Sequence, residues 1–133
     1  PRMIKVADEP RVAIIADVDT PLGTITVANV HLSFVPGYNV KQLRKLTKHL
    51  GNRSNPVIIL GDFNLPGKIA NIVSRWDSLA AAPTYPTFKP RIQFDHIIAR
   101  GLNAETIKRA RDSVEVMPLA ISDHCALVVE ITK

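Results

Sequence analysis

The segment VIILGDFNLPG, Val57–Gly67, limits the possible folds of this chain more than any other stretch. Four consecutive apolar residues predict a strand that is buried on both faces, because a strand with one wet face would alternate apolar and polar residues. Asp62 and Asn64 follow at the point where this strand must end. A carboxylate and an amide at the end of a core strand raise the question of what they do there.

The pattern around this strand predicts a mixed fold. Two runs rich in β-branched residues, Arg11–Val18 and Thr24–Leu32, flank the turn DTPLG and predict a β-hairpin. Asn39 is predicted to cap a helix whose leucines recur at helical spacing and which Gly51 ends.

Later segments add further predicted elements. The segment IANIVSRW is compatible with a short helix, RIQFDHIIA and ALVVEI predict strands, APTYPTFKP predicts an extended loop, and ETIKRARDSVEVM favours a strand over a helix. We therefore expect an α/β (α+β) architecture in which a sheet is covered on at least one face.

Composition sets broad limits. The chain has 133 residues, which predicts a single domain over residues 1–133. Its formal net charge of +5 favours anionic partners such as phosphate esters or nucleic acid. Cys125 is the only cysteine, so no internal disulfide can form. Apolar runs of membrane-spanning length and an apolar leader segment are both absent from the sequence, which leads us to expect a cytoplasmic protein without a membrane span.

Polar residues mark the ends of four apolar runs. These are Asn29 and His31 in VANVHL, Asp62 and Asn64 in ILGDFN, Asp95 and His96 in IQFDHII, and Asp123 and His124 in ISDHCAL. Any one of them could simply start a turn, because Asp and Asn side chains bond the local backbone. Strand ends that converge on one edge of a sheet would instead bring them together.

Strand alternation separates the two polar residues of the third run. His96 shares a face with the apolar Phe94 and Ile98, which predicts a core histidine, whereas Asp95 lies on the other face.

The combined set of side chains favours phosphoester chemistry. Carboxylates bind hard divalent cations, an aspartate beside a histidine orients its imidazole, and amides and protonated histidines donate hydrogen bonds to phosphate. This set suits metal-assisted phosphoester hydrolysis. It does not suit a zinc finger, and the sequence contains no Gly-rich nucleotide loop.

The motifs NVHL, GDFN, QFDHI and SDH, in this order, resemble those of the endonuclease/exonuclease/phosphatase (DNase I-like) superfamily. The resemblance implies a four-layer α/β sandwich with mostly antiparallel sheets and flanking helices, and a hydrolase that uses Mg²⁺ or Mn²⁺. It also implies a role for each site residue. By this resemblance, Asp62 positions or deprotonates the attacking water, and Asn64 holds the scissile phosphate and orients Asp62. His31 contacts the phosphate or the leaving group. His124 binds the phosphate with Asp95 as its orienting partner, and Asp123 lies near the metal.

The sequence also departs from the family pattern. In the family, an asparagine and then a metal-binding glutamate precede the first of these motifs on a longer chain. Here the only earlier acids are Asp8, Glu9, Asp17 and Asp19, and no strand leads to Glu9. We therefore expect this chain to be the C-terminal half of the family's domain, with an N-terminal half that was removed or belongs to another polypeptide. If the missing half supplied most of the second sheet, one face of the sheet in this chain would be uncovered, and that apolar face would favour self-association.

Three functions remain open at this stage. The first is a metal-dependent phosphodiesterase of the nuclease type. The second is a non-catalytic module of the same fold that binds phosphate groups or nucleic acid. The third is a phosphomonoesterase, because substrate choice would depend on loops such as SFVPGYN and APTYPTFKP.

Overall fold

The computed structural model describes residues 10–133, so Asp8 and Glu9 lie outside the described residues. The strands are β1 (Ile14–Thr20), β2 (Gly23–His31), β3 (Val57–Asp62), β4 (Asp77–Ser78), β5 (Asp95–Arg100), β6 (Glu115–Met117) and β7 (Ala126–Val128), and the helices are α1 (Tyr38–Leu50), α2 (Ile69–Ser74) and α3 (Ala104–Asp112).

Five strands form one sheet in the order β1-β2-β3-β5-β4, and β6 and β7 form a separate two-stranded sheet. Only β2 and β3 pair in parallel, while every other named pair is antiparallel. The parallel pair needs a crossover connection, and α1 supplies it. The predicted mixed α/β class, with a mostly antiparallel sheet and flanking helices, is confirmed.

Strand β3 is buried on both faces, as its apolar run predicts. Val57 and Ile59 are fully buried in the cluster that joins the sheet to α1 and α2. Ile58, on the opposite face, packs in a second cluster with residues of α3 and of the C-terminal segment. The central strand therefore carries two cores, one on each side of the sheet.

The segment that favoured a strand, ETIKRARDSVEVM, is mainly helical. It forms α3 and then the short strand β6, so the strand prediction was wrong for its first half. The side chain of Asn103 accepts a hydrogen bond from the backbone N–H of Thr106 at 2.8 Å and caps the helix. Ile107 and Ala110 point into the second core, and this burial stabilises the helix against the weak local pattern.

Two other boundaries differ from the sequence prediction. Asn39 does not cap α1, because the N-cap is Gly37 and Asn39 lies inside the helix. Its buried side chain instead donates to the backbone carbonyl of Asn64 at 3.1 Å. The strand predicted over RIQFDHIIA begins only at Asp95, since the preceding residues make one isolated bridge, between Tyr85 and Ile92.

His96 is a core histidine, as predicted. It is 2% exposed, its Nε2 bonds the backbone carbonyl of Leu65 at 2.6 Å, and its ring lies 5.2 Å from that of Phe63. Burial lowers the pKa of His96, because the apolar surroundings disfavour the charged imidazolium. The folded state therefore favours the neutral imidazole of His96.

The outer strand β1 exposes apolar side chains. Val12, just before it, and Ile14 within it are 79% and 68% exposed. Self-association through such a face stays a prediction. Within residues 10–133, no helix is both long and apolar enough to cross a bilayer.

Strands β2 and β3 approach closely where β3 ends. Gly61 has a φ of +134°, and a Cβ added there would lie 1.9 Å from the backbone oxygen of Val30. Only glycine allows this approach, because any side chain would push the two strands apart.

We expect Gly61→Ala to destabilise the fold by about 3 kcal/mol or more, because the added methyl group meets a backbone oxygen. Gly23→Ala is the matched control. Gly23 also has a positive φ, of +94°, but its Cβ would meet no atom within 4 Å, so only about 1–2 kcal/mol of backbone strain is expected. Urea unfolding of both variants measures the difference, and equal losses would contradict the close-approach explanation.

The lowered pKa of His96 gives a pH dependence of stability. The unfolded state takes up a proton near pH 6.5 and the folded state only at lower pH, so the contribution of His96 is present above 6.5 and is lost as pH falls. The loss is at most about 1.4 kcal/mol per pH unit. Between pH 7.5 and 5.5, wild type should lose more unfolding free energy than His96→Gln. Parallel curves for the two proteins would contradict this.

Candidate active site

Three polar residues form one row across the central strands. In the parallel pair β2–β3, His31 lies opposite Asp62, and in the antiparallel pair β3–β5, Asp62 lies opposite Asp95. Paired residues of neighbouring strands point to the same face. The register therefore brings His31, Asp62 and Asp95 to one edge and one face of the sheet, opposite the face on which His96 is buried.

Asp62 lies at the centre of this row. Its Oδ1 accepts a hydrogen bond from the backbone N–H of Asn64 at 2.9 Å. Its Oδ2 lies 3.4 Å from Nε2 of His31 and 3.8 Å from Nε2 of His124. Burial raises the pKa of Asp62, and the negative charge of Asp95 adds to the rise. The carboxylate is therefore a stronger base than an exposed aspartate.

Asn64 holds the segment that follows β3 in place. Its backbone is left-handed, with a φ of +52°, a conformation that asparagine tolerates better than most residues. Its Nδ2 donates to the backbone carbonyl of Leu32 at 2.8 Å, and its own carbonyl accepts from Asn39. The side chain thus ties the end of β3 to the end of β2. Its predicted contact with a phosphate stays a prediction.

His124 comes to the row from a segment outside the main sheet. Its Nδ1 bonds Oδ2 of Asp95 at 2.7 Å, so Nε2 is the nitrogen nearer to Asp62. Burial by itself lowers the pKa of His124, but the hydrogen bond to Asp95 and the charges of Asp95, Asp62 and Asp123 outweigh it and raise the pKa. The site therefore favours a positively charged imidazole.

The other predicted residues are arranged differently. The side chain of His31 is 62% exposed, so it lies at the open rim of the site. Asn29, also exposed, is two residues further back along β2. Asp123 lies on an exposed turn, and its predicted place near a metal stays a prediction.

The earlier acids Asp17 and Asp19 do not reach this site. They bond Thr26 and Thr24, which are near the start of β2, whereas His31 ends that strand.

Sequence reasoning missed Thr84. Its side chain is fully buried, and its Oγ1 lies 2.6 Å from the same Asp95 Oδ2 that bonds His124. A threonine between prolines in the loop APTYPTFKP looks like an ordinary loop residue. Only the fold places this loop against β5, so the sequence carried no signal for this contact.

Asp62, Asp95 and His124 form a group that could share a metal ion, since one ligand atom of each lies within 4.8 Å of the others. Carboxylate oxygens suit Mg²⁺ or Mn²⁺. The donor set therefore fits a hard divalent cation held through carboxylate oxygens.

The comparison with protein families agrees with this chemistry. The sequence matches the model of the Endonuclease/Exonuclease/phosphatase family over residues 7–124. No curated protein sequence matches the chain.

Solved structures share the fold. A beta toxin from Staphylococcus aureus superposes with a TM-score of 0.66 and 13% identity, over 92% of this chain and 57% of that chain. A mannosyl-6-phosphatase from Bacteroides thetaiotaomicron gives a TM-score of 0.56 and 15% identity, over 83% and 52%. The predicted DNase I-like fold is confirmed, and this chain spans little more than half the length of these two structures.

We expect Asp95→Asn to lower the pKa of His124, because the variant removes the hydrogen-bonded charge and leaves the burial that disfavours the imidazolium. Asp123→Asn is the control, since that acid has a smaller effect on the same pKa. Titration of the His124 ring protons by NMR measures both shifts. A shift in Asp123→Asn as large as that in Asp95→Asn would contradict the assigned pairing.

Proposed function

Because the chain belongs to the endonuclease/exonuclease/phosphatase family, we propose that it hydrolyses phosphoesters, and phosphodiesters in particular, with a divalent metal ion. The observation that carries the proposal is the position of His124. Asp95 holds one of its ring nitrogens at 2.7 Å, and the other lies 3.8 Å from the Asp62 carboxylate. A base and a positively charged group thus lie next to each other.

These two groups can act on opposite charges of one reaction. The Asp62 carboxylate accepts a proton from a water molecule, and the water oxygen forms a bond to phosphorus. The imidazolium of His124 donates a hydrogen bond to a phosphate oxygen and offsets the negative charge that develops there. The bond from phosphorus to the leaving oxygen breaks, and in this proposal His31, at the exposed rim, gives that oxygen a proton.

Asp95 keeps His124 ready for this role. By accepting a hydrogen bond from the Nδ1–H of His124, Asp95 fixes the ring orientation and favours the charged form. The backbone N–H of Asn64 donates to the Asp62 carboxylate, and the Asn64 side chain holds this turn against the carbonyl of Leu32. We propose that the amide of Asn64 also faces the phosphate. Rigid placement of this kind accounts for much of the rate of an enzyme.

A divalent cation such as Mg²⁺ or Mn²⁺, held with Asp123 as the acid of this chain that would contact it, would neutralise phosphate charge when bound, and the Asp62 carboxylate would stay free to act as the base. Since the chain spans 57% and 52% of the two matched structures, we also propose that residues 1–133 are the C-terminal part of the family's domain. A further acidic ligand would then come from outside this chain, whether from the same polypeptide or from a partner.

The test compares three substrates, bis(4-nitrophenyl) phosphate, 4-nitrophenyl phosphate and plasmid DNA, each with Mg²⁺, Mn²⁺ or EDTA. We expect hydrolysis that EDTA abolishes and that is faster for diesters than for the monoester. Asp62→Asn and His124→Ala should each reduce the rate by about a hundredfold or more, because each removes a group that acts on the reacting phosphate.

Asp112→Asn is the control for these variants, because Asp112 is exposed and pairs with Lys108 on α3. It should leave the rate unchanged. Faster monoester hydrolysis would favour the phosphomonoesterase. Salt-sensitive DNA binding without hydrolysis of any substrate would favour the binding module. Full activity in His124→Ala would overturn the proposed mechanism.

A further inference from the structure

We propose that Thr84 is a positioning residue that fixes the imidazole of His124 through Asp95; this rests on the proposed function for its effect on catalysis. The basis is a pair of hydrogen bonds that share one oxygen of Asp95. Thr84 Oγ1 lies 2.6 Å from Asp95 Oδ2, and the same oxygen lies 2.7 Å from His124 Nδ1.

The direction of these hydrogen bonds follows from the groups involved. An ionised carboxylate can only accept, so the Thr84 hydroxyl donates its one proton to Asp95. Asp95 Oδ2 then accepts from Thr84 on one side and from the His124 Nδ1–H on the other. The rotation of the carboxylate is therefore restricted by the hydroxyl, and the carboxylate in turn sets the orientation of the ring.

The backbone of Thr84 acts on the same histidine by a second route. Its carbonyl accepts from the backbone N–H of Cys125 at 2.7 Å, the residue after His124. Both the ring and the main chain of His124 are thus held from one residue. The ring of Tyr85, next along the loop, lies 5.1 Å from the imidazole and limits its tilt.

Thr84 can hold His124 because it is itself held. It is fully buried, and its backbone N–H bonds the carbonyl of Ile92 at 2.9 Å. The short stretch from Ile92 leads directly into β5 and Asp95. The loop is therefore bonded both to the strand that carries Asp95 and to the segment that carries His124.

The experiment uses the full chain and four proteins: wild type, Thr84→Val, Thr84→Ser and Thr26→Val. Valine has the shape of threonine without the hydroxyl, and serine restores the hydroxyl. Thr26 is the matched control, because it is also fully buried and its hydroxyl bonds a carboxylate, that of Asp17, at 2.7 Å. Thr26 lies near the start of β2, whereas His31 is at the end of that strand.

We expect Thr84→Val to lower kcat roughly tenfold to a hundredfold with KM changed by less than about twofold, because a misplaced group acts in the transition state. Thr84→Ser should recover most of kcat. Thr26→Val should lose stability but keep kcat. Thr84→Val that is folded and fully active, or equal losses of kcat in Thr84→Val and Thr26→Val, would overturn the proposal.

A second measurement does not depend on hydrolysis. The proton on His124 Nδ1, hydrogen-bonded to a carboxylate, should give a downfield proton NMR signal in wild type, Thr84→Ser and Thr26→Val, and this signal should broaden or vanish in Thr84→Val. An unchanged signal in Thr84→Val would overturn the positioning role. Absence of hydrolysis by wild type would count against the proposed function, while this signal would still decide the role of Thr84.

Discussion

The pairing register of β2, β3 and β5 determines where the polar side chains at the ends of these strands lie. It places His31, Asp62 and Asp95 opposite one another at one edge of the sheet. A slip of one residue in β3 would turn Asp62 toward the other core and Phe63 toward the site. The close approach at Gly61, where a Cβ would meet the oxygen of Val30, lies at this same edge. It lets the parallel strands β2 and β3 end side by side. The fold and the candidate site are thus fixed by the same backbone contacts.

Burial and nearby charges give side chains of the same type different protonation behaviour. His96 and His124 come from different parts of the chain, and their environments push their pKa values in opposite directions. Burial in an apolar core keeps His96 neutral, whereas three carboxylates around His124 favour its charged form. Asp62, partly buried, becomes more basic. The same two residue types therefore provide a structural histidine, a positively charged group and a base, and only their surroundings distinguish them.

Several features could be read from the sequence because they depend on local patterns. The apolar run of β3, the β1–β2 hairpin and the amphipathic α1 have short-range signals, and the alternation around His96 correctly separated it from Asp95. The segment of α3 was misread because its charges favour a helix and its β-branched residues favour a strand. Burial of Ile107 and Ala110 stabilises the helix. Asn39 was misread as a cap because its partner, the carbonyl of Asn64, is 25 residues away.

The central strand, the polar residues at the strand ends and the order of the motifs could all be predicted from the sequence, since each depends on neighbours within a few residues. The family could be predicted too, because the motif order resembles that of the family. Two contacts could be seen only in the folded chain: Asp62 faces His124, and Thr84 shares an oxygen of Asp95 with that histidine. These contacts join residues 29 to 62 positions apart, or cross a loop with no regular pattern. Their formation depends on how the loop and the C-terminal segment pack against β5, and no local sequence signal records that packing.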